Sequence, residues 1–351
     1  MRSRIAEFRG CSPYDHFELL AATAKDWPGD VHGRPTNLTR EQLTKFVKED
    51  DNTFEISVVA EPMDEAYSIP GVQAKLAVLK DRIQFVDRTK LRDVSNMRHV
   101  IAKLPMAGYP HLPELEDLSL RMAAAAGVSV VEAELAPMAS LAVEHGYDLG
   151  DVDEKATFLA VFRYDRDAQT PTGRVHCEDF AQILGVQPEE KYTLDYLTVA
   201  GIMLALPSVG ESGVHELLRR IMVSELMGNP DMHLKNIGLR YLDGRTPELA
   251  PAYDLVAYAA YGTQKSSRAL RLVPAPATGA KHSLDTSAFL NRVIVREFCA
   301  RLGIPEKPAQ TALRKCAAMA FETWPALINE SSISDKMKNR LLAHLEIKHQ
   351  Y

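Results

Sequence analysis

Four cysteines in 351 residues, Cys11, Cys177, Cys299 and Cys316, form no C-x-x-C pair and no disulfide-dense spacing. That pattern sets aside a disulfide-stapled scaffold and favours reduced, buried thiols in a cytoplasmic setting. No stretch approaches the roughly 20 apolar residues of a membrane span. The first ten residues also lack the apolar centre of a signal peptide. Positive charge is not in excess either: the net charge is −6, which gives no case for direct nucleic-acid binding. What remains, with 46% hydrophobic and 25% charged residues, is an ordinary globular composition and enough chain for two or three domain-sized units. The expectation is a cytoplasmic protein without a membrane partner.

The chain changes character along its length. Residues 14–30 and the segment from Asn37 to Val47 read as short amphipathic packing helices. Residues 67–79, 82–86, 98–105, 128–135 and 156–166 read as strands. Among them His111–Gly127 is a helix with Pro113 near its start, acids in the first turn and a glycine stop. From about residue 176 helical periodicity takes over, at 176–185, 192–206, 211–228, 285–303, 306–329 and 333–348. This predicts an α+β, two-lobed, protein-kinase-like fold: a small β-rich lobe over residues 1–165 and a larger all-α lobe over 166–351. The tract 262–282, with Lys265, Arg268 and Arg271, reads equally as a substrate-facing loop or a solvated one.

The stretch Asn229-Pro-Asp-Met-His-Leu-Lys-Asn236 carries the chemistry. Phosphoryl transfer to a hydroxyl needs a carboxylate to orient and deprotonate the acceptor, oxygen ligands for magnesium and a cation near the phosphates. Protein kinases set the catalytic Asp and a metal-binding Asn five residues apart, then add a second metal-binding Asp. Asp231 and Asn236 have that spacing, and Asp254 follows 18 residues later, beyond a hairpin expected to turn at Asp243-Gly244. Asn, Pro and Asp also cluster in plain turns because their side chains bond the nearby backbone. Lys103, at the end of its strand, can face phosphates or simply be a solvated edge lysine. Glu116 on the following helix is its ion-pair partner in the first case, with Glu114 the weaker candidate; in the second both only complement the helix dipole. Gly71 suits a phosphate-covering loop or a plain hairpin turn, and residues 162–164 suit a hinge for the adenine edge.

Taken together, seven blocks in order resemble the HipA family of bacterial serine/threonine kinase toxins. They are Ser68-Ile-Pro-Gly-Val-Gln-Ala-Lys75, His99-Val-Ile-Ala-Lys-Leu-Pro105, the Glu116 helix, Phe162-Arg-Tyr-Asp-Arg166, Val175–Gly185 with Lys191-Tyr192, Asn229–Asn236 and Leu249–Asp254. The resemblance implies ATP and Mg2+ as cofactors. It makes Asp231, His233 and Lys235 catalytic, with Asn236 and Asp254 on the metal. It assigns Gly71, Val72, Lys75, Lys103, Glu116, Phe162, Tyr164, His233 and Tyr253 to the nucleotide, and makes Ser68 the autophosphorylated serine. It further implies a translation component, an aminoacyl-tRNA synthetase being the family's substrate class, and a helix-turn-helix antitoxin. Phe162 departs from the family, standing where a hinge Glu is usual. The chain begins close to Tyr14, which resembles the short HipT-type members of three-component HipBST-like systems, where a separate small protein supplies the N-terminal piece. A small-molecule kinase and a non-catalytic ATP-binding regulator are the alternatives.

Overall fold

The computed structural model describes residues 73–87, 97–143, 155–170, 172–262, 268–274 and 290–349, with residue 149 and scattered positions between 6 and 31. Most of the helix expected over 14–30, all of the one from Asn37 to Val47, the start of the 67–79 strand, and Ser68, Gly71, Val72 and Lys265 lie outside the described residues.

A curled antiparallel sheet forms the first part. Strand β1 (Lys75–Asp81) turns through Arg82-Ile83 into β2 (Gln84–Asp87) and pairs on its other side with β3 (Arg98–Lys103). Arg82 has φ 54°, the left-handed conformation that a two-residue hairpin turn demands. β3 then pairs with β6 (Thr157–Phe162), and β6 with β4 (Ala133–Pro137), while the two-residue β5 (Leu141–Ala142) runs parallel to β2. The resulting order is β4-β6-β3-β1-β2-β5.

Strand alternation divides the sheet's side chains between two faces. Leu76, Val78, Val100, Ala102, Phe158, Ala160 and Phe162 make one apolar cluster, closed by an edge-on contact of Phe85 with Phe158 at 5.0 Å. Lys75, Lys103 and Leu159, which sit opposite one another in register, share the other face. Helix α1 (Leu112–Ala125) packs against that face. It starts at Pro113 and Glu114 and ends as Gly127 (φ 84°) lets Val128 N–H donate to the Ala123 carbonyl. α1 also belongs to the core of the helical part, where Trp324 Nε1 donates to the Met122 carbonyl at 2.7 Å.

That part contains α3 (Tyr196–Ala205), α4 (Gly210–Met227), α5 (Arg292–Leu302), α6 (Glu306–Glu330) and α7 (Asp335–His349). It is not all-α. Residues 176–185 read as one helix but form strand β7 (His176–Asp179) and a single-turn helix α2 (Phe180–Ile183). The reason is a capping box: Asp179 accepts from the Gln182 N–H and Gln182 Oε1 accepts from the Asp179 N–H, so the helix can begin only at 180. β7 pairs with β8 (Gly238–Tyr241), which pairs with β9 (Glu248–Leu249). The β8–β9 connection turns where Asp243-Gly244 predicted, but across six residues, with Asp243 accepting from the N–H groups of Arg245 and Thr246.

Two strand boundaries also moved. The 128–135 strand begins only at Ala133, because Ser129 and Val131 exchange backbone hydrogen bonds with Ala252 of the helical part. β6 stops at Phe162, since Arg163 and Arg166 fold back onto the buried Asp165 carboxylate.

Candidate active site

Helix α4 ends at Gly228, whose φ of 67° takes the chain into the 229–236 loop. A side chain there would meet Ala259 Cβ at 3.0 Å, so glycine is demanded by conformation and by space. Asn229 Oδ1 then accepts from the Asp231 N–H at 3.0 Å, an Asx turn of the kind its sequence suggests. The Asp231 carbonyl accepts from His233 N–H at 2.9 Å and from Asn236 Nδ2 at 2.8 Å. The five-residue spacing thus closes a compact loop that presents the Asp231 carboxylate, 42% exposed. Beneath it, Tyr196 Oη donates to the Met232 carbonyl at 2.8 Å.

A second cluster lies between the sheet and the helical part. Lys103 Nζ, from the end of β3, bonds both Glu116 Oε1 of α1 and Asp254 Oδ1. Lys75 Nζ, its neighbour across the strands, approaches Asp254 Oδ2 at 3.5 Å. Burial opposes the charged form of Lys103, but Asp254 and then Glu116 outweigh it and hold its pKa above the ordinary lysine range. Burial would likewise raise Asp254, yet Lys103 and Lys75 keep it well below the ordinary carboxylate range. For Lys75 burial prevails, and its pKa is lowered. Asp254 has φ 53°, an uncommon conformation for a residue with a side chain, of the kind that collects at functional sites. The segment beyond it is pinned by Ala257 N–H donating to Ser119 Oγ of α1 at 2.9 Å.

The two clusters are neighbours: Tyr253, next to Asp254 in the chain, donates to the carbonyl of Lys235 in the 229–236 loop at 2.9 Å. Asp231, Asn236, Asp254, Lys103, Glu116 and Lys75 are therefore brought together. His233 is buried, and burial together with Lys191 holds its pKa low against the pull of Asp231, 3.7 Å from its Nε2. Tyr253 stacks on Tyr164 with ring centroids 5.8 Å apart and donates to the Lys235 carbonyl at 2.9 Å. Lys235 Nζ is held by Asp179 Oδ2 at 2.6 Å, so the structure engages this lysine with β7. The Phe162 ring lies on the sheet face opposite Lys103, in contact with the Arg98 guanidinium at 3.6 Å. The Phe162 N–H is also engaged, donating to the Glu132 carbonyl at 2.9 Å while the residue pairs with Val100 of β3. Arg268 is neither substrate-facing nor solvated: it is buried against Glu225 at 2.7 Å.

Two participants had no role in the sequence reading. Tyr192, in the turn before α3, donates its hydroxyl to Asp231 Oδ1. Asp179 anchors Lys235 from 56 residues away. Neither leaves a local signal, since both contacts join segments distant in sequence.

Among the described residues no group of three or more His, Cys, Asp or Glu could hold a metal ion. The donors here are instead the Asp254 carboxylate and the Asn236 amide oxygen, whose amide nitrogen is already committed to the Asp231 carbonyl. Such a small set of hard oxygens fits Mg2+, which is bound by one or two carboxylates plus substrate phosphates and not by a full protein cage. His233 Nδ1 is buried without a hydrogen-bond partner, a group that a ligand in the cleft would satisfy.

The chain is similar to known proteins in sequence and in fold. The HipA-like C-terminal domain profile matches residues 67–324. A Sinorhizobium fredii protein provisionally named a kinase, Y4dM, is 33% identical over 270 residues, covering 77% of this chain and 62% of its own length. A second from that organism, provisionally named kinase Y4mE, is 27% identical over 282 residues, covering 76% and 63%. The chain thus spans less than two thirds of both relatives. Among solved structures, the Shewanella oneidensis complex of HipA, HipB and operator DNA matches with a TM-score of 0.65 at 18% identity, covering 98% of this chain and 81% of that one. The mixed α+β architecture is therefore shared with HipA. No helix among the described residues is long and apolar enough to cross a membrane.

Proposed function

The chain belongs to the HipA-like C-terminal domain family, and on that premise we propose that it is an ATP- and Mg2+-dependent protein serine/threonine kinase. The observation that carries this reading is Lys103 of the sheet joined at once to Glu116 of α1 and Asp254 of the helical part. The loop that holds Asp231 and Asn236 is tied to the segment of Asp254 by Tyr253, which donates to the Lys235 carbonyl at 2.9 Å. In this reading Asp231 takes the proton of the acceptor hydroxyl as the γ-phosphoryl group passes to it and ADP leaves. Lys103, kept charged by two carboxylates, presents its ammonium to the nucleotide phosphates, and Glu116 would hold it there if Asp254 served the metal. Lys75 adds a second cation on the same face. Mg2+, when bound by Asn236 Oδ1 and Asp254, neutralises phosphate charge. His233 and Tyr253 border the nucleotide.

The biological role is that of a toxin in a HipBA- or HipBST-type system, with a translation component, an aminoacyl-tRNA synthetase, as acceptor. A helix-turn-helix antitoxin is its partner, in keeping with the HipB present in the Shewanella complex. A small separate protein is the second partner if the chain is of the HipT type. Ser68 is the autophosphorylated serine, where roughly −1.5 to −2 of added charge would repel the ATP phosphates. Incubation with labelled ATP and cell lysate tests the activity. One labelled protein beyond the chain itself, lost in Asp231→Asn, is expected; label confined to small molecules refutes a protein acceptor. A Ser68→Ala chain labelled to the same stoichiometry refutes the autophosphorylation site.

A further inference from the structure

The backbone of Asp231 is held without help from Tyr192. Its N–H is fixed by Asn229 Oδ1 at 3.0 Å and its carbonyl by the His233 N–H at 2.9 Å and Asn236 Nδ2 at 2.8 Å. Yet its Oδ1 also accepts the Tyr192 hydroxyl at 2.5 Å, from a turn 39 residues upstream that leads into α3. The tyrosine is 47% exposed. Its ring stands edge-on to His233, centroids 5.1 Å apart, and the Lys191 ammonium lies 5.1 Å from the ring centre.

A hydroxyl donating to Asp231 is the contact an acceptor must make with its base before transfer. A side chain needed to hold the base would be expected buried and fixed, whereas this one sits half in solvent and can swing out without leaving a cavity. Resting on the kinase reading above, we infer that Tyr192 stands in for the acceptor, covering Asp231 until an acceptor segment displaces it. The phenol then denies water the proton acceptor it needs to attack ATP, so the nucleotide survives while no acceptor is bound. Exclusion of such a side reaction is a recognised use of a closed site. The protein acceptor, by contrast, brings its own hydroxyl and enough contact area to replace one ring.

Tyr192→Phe keeps the ring with its His233 and Lys191 contacts and deletes the hydroxyl. Phosphate release from Mg·ATP by the full chain, without protein acceptor, is measured together with Mg·ATP affinity by calorimetry. Release is expected to rise on the order of tenfold, the equivalent of one net hydrogen bond to a charged group, with affinity unchanged. Asp231→Asn added to the variant should return release to background. A Tyr192→Phe rate no higher than wild type, with Mg·ATP still bound, overturns the inference and makes Tyr192 a support for the base. Failure of both proteins to bind Mg·ATP instead sinks the kinase reading, and this inference with it.

Discussion

Replacing Asp254 by asparagine removes one charge from a cluster of two lysines and two carboxylates while leaving the shape nearly unchanged. Asparagine tolerates the left-handed region about as well as aspartate, so the φ of 53° at this position adds no new strain. Lys75 and Lys103, 8% and 4% exposed, would then share Glu116 as the remaining carboxylate of the cluster. Removing one partner from a buried ion pair costs about 3–5 kcal/mol. Because the Asp254 side chain is 32% exposed, solvent screening takes back part of that, leaving about 2–3 kcal/mol. The assay is the guanidinium midpoint with unchanged slope, repeated against pH. The folded carboxyl lies below its ordinary range, so its stabilisation is present above about pH 4 and is lost as pH falls through the folded value. The gap between wild type and variant should therefore be full from pH 5 upward and close on acidification. Asp254→Ala should be about 1 kcal/mol worse than Asp254→Asn, for the left-handed backbone alone. A gap under about 0.5 kcal/mol at pH 7, the range of an ordinary surface change, would refute the coupling described here.

Asp231→Asn should lower phosphoryl transfer by about 10²–10⁴-fold, the usual contribution of a general base. Mg·ATP should still stabilise that variant in a thermal-shift assay, because the lysines and Asp254 are untouched. Glu225 is buried beside Arg268 and accepts from the Leu290 N–H at 2.9 Å, and burial pushes its carboxyl up to about 7. Between its ordinary value and about 7 the folded chain holds a proton that the unfolded chain gives up, so stability should fall as pH rises through that window. Denaturant midpoints from pH 4.5 to 7.5 should show that slope in wild type and not in Glu225→Gln. Gly228→Ala should cost about 1–2 kcal/mol for its left-handed φ, with more from the Ala259 contact at 3.0 Å. Activity should fall with the midpoint, as the loop carrying Asp231 shifts.

How much was legible in the sequence depended on the range of the interaction. Spacing and turn chemistry act over a few residues. The Asn229–Asn236 loop, the glycine that releases it, the Pro113 start of α1 and the helices from α3 onward could be read directly, except that the helix expected over 285–303 begins only at Arg292, capped by Asn291. Boundaries failed where a distant partner decided them. Residues 129–131 left their expected strand to pair with Ala252, and His176–Asp179 became a strand because β8 offered an edge. The resemblance named the lysine, the glutamate and the aspartate that meet in the cleft. That Lys75 shares Asp254 with Lys103, that Lys235 leans on Asp179 and that Tyr192 covers Asp231 are decisions of the folded chain. Each joins groups between 39 and 179 residues apart, and over such separations only the packing of sheet against helices fixes which charge finds which.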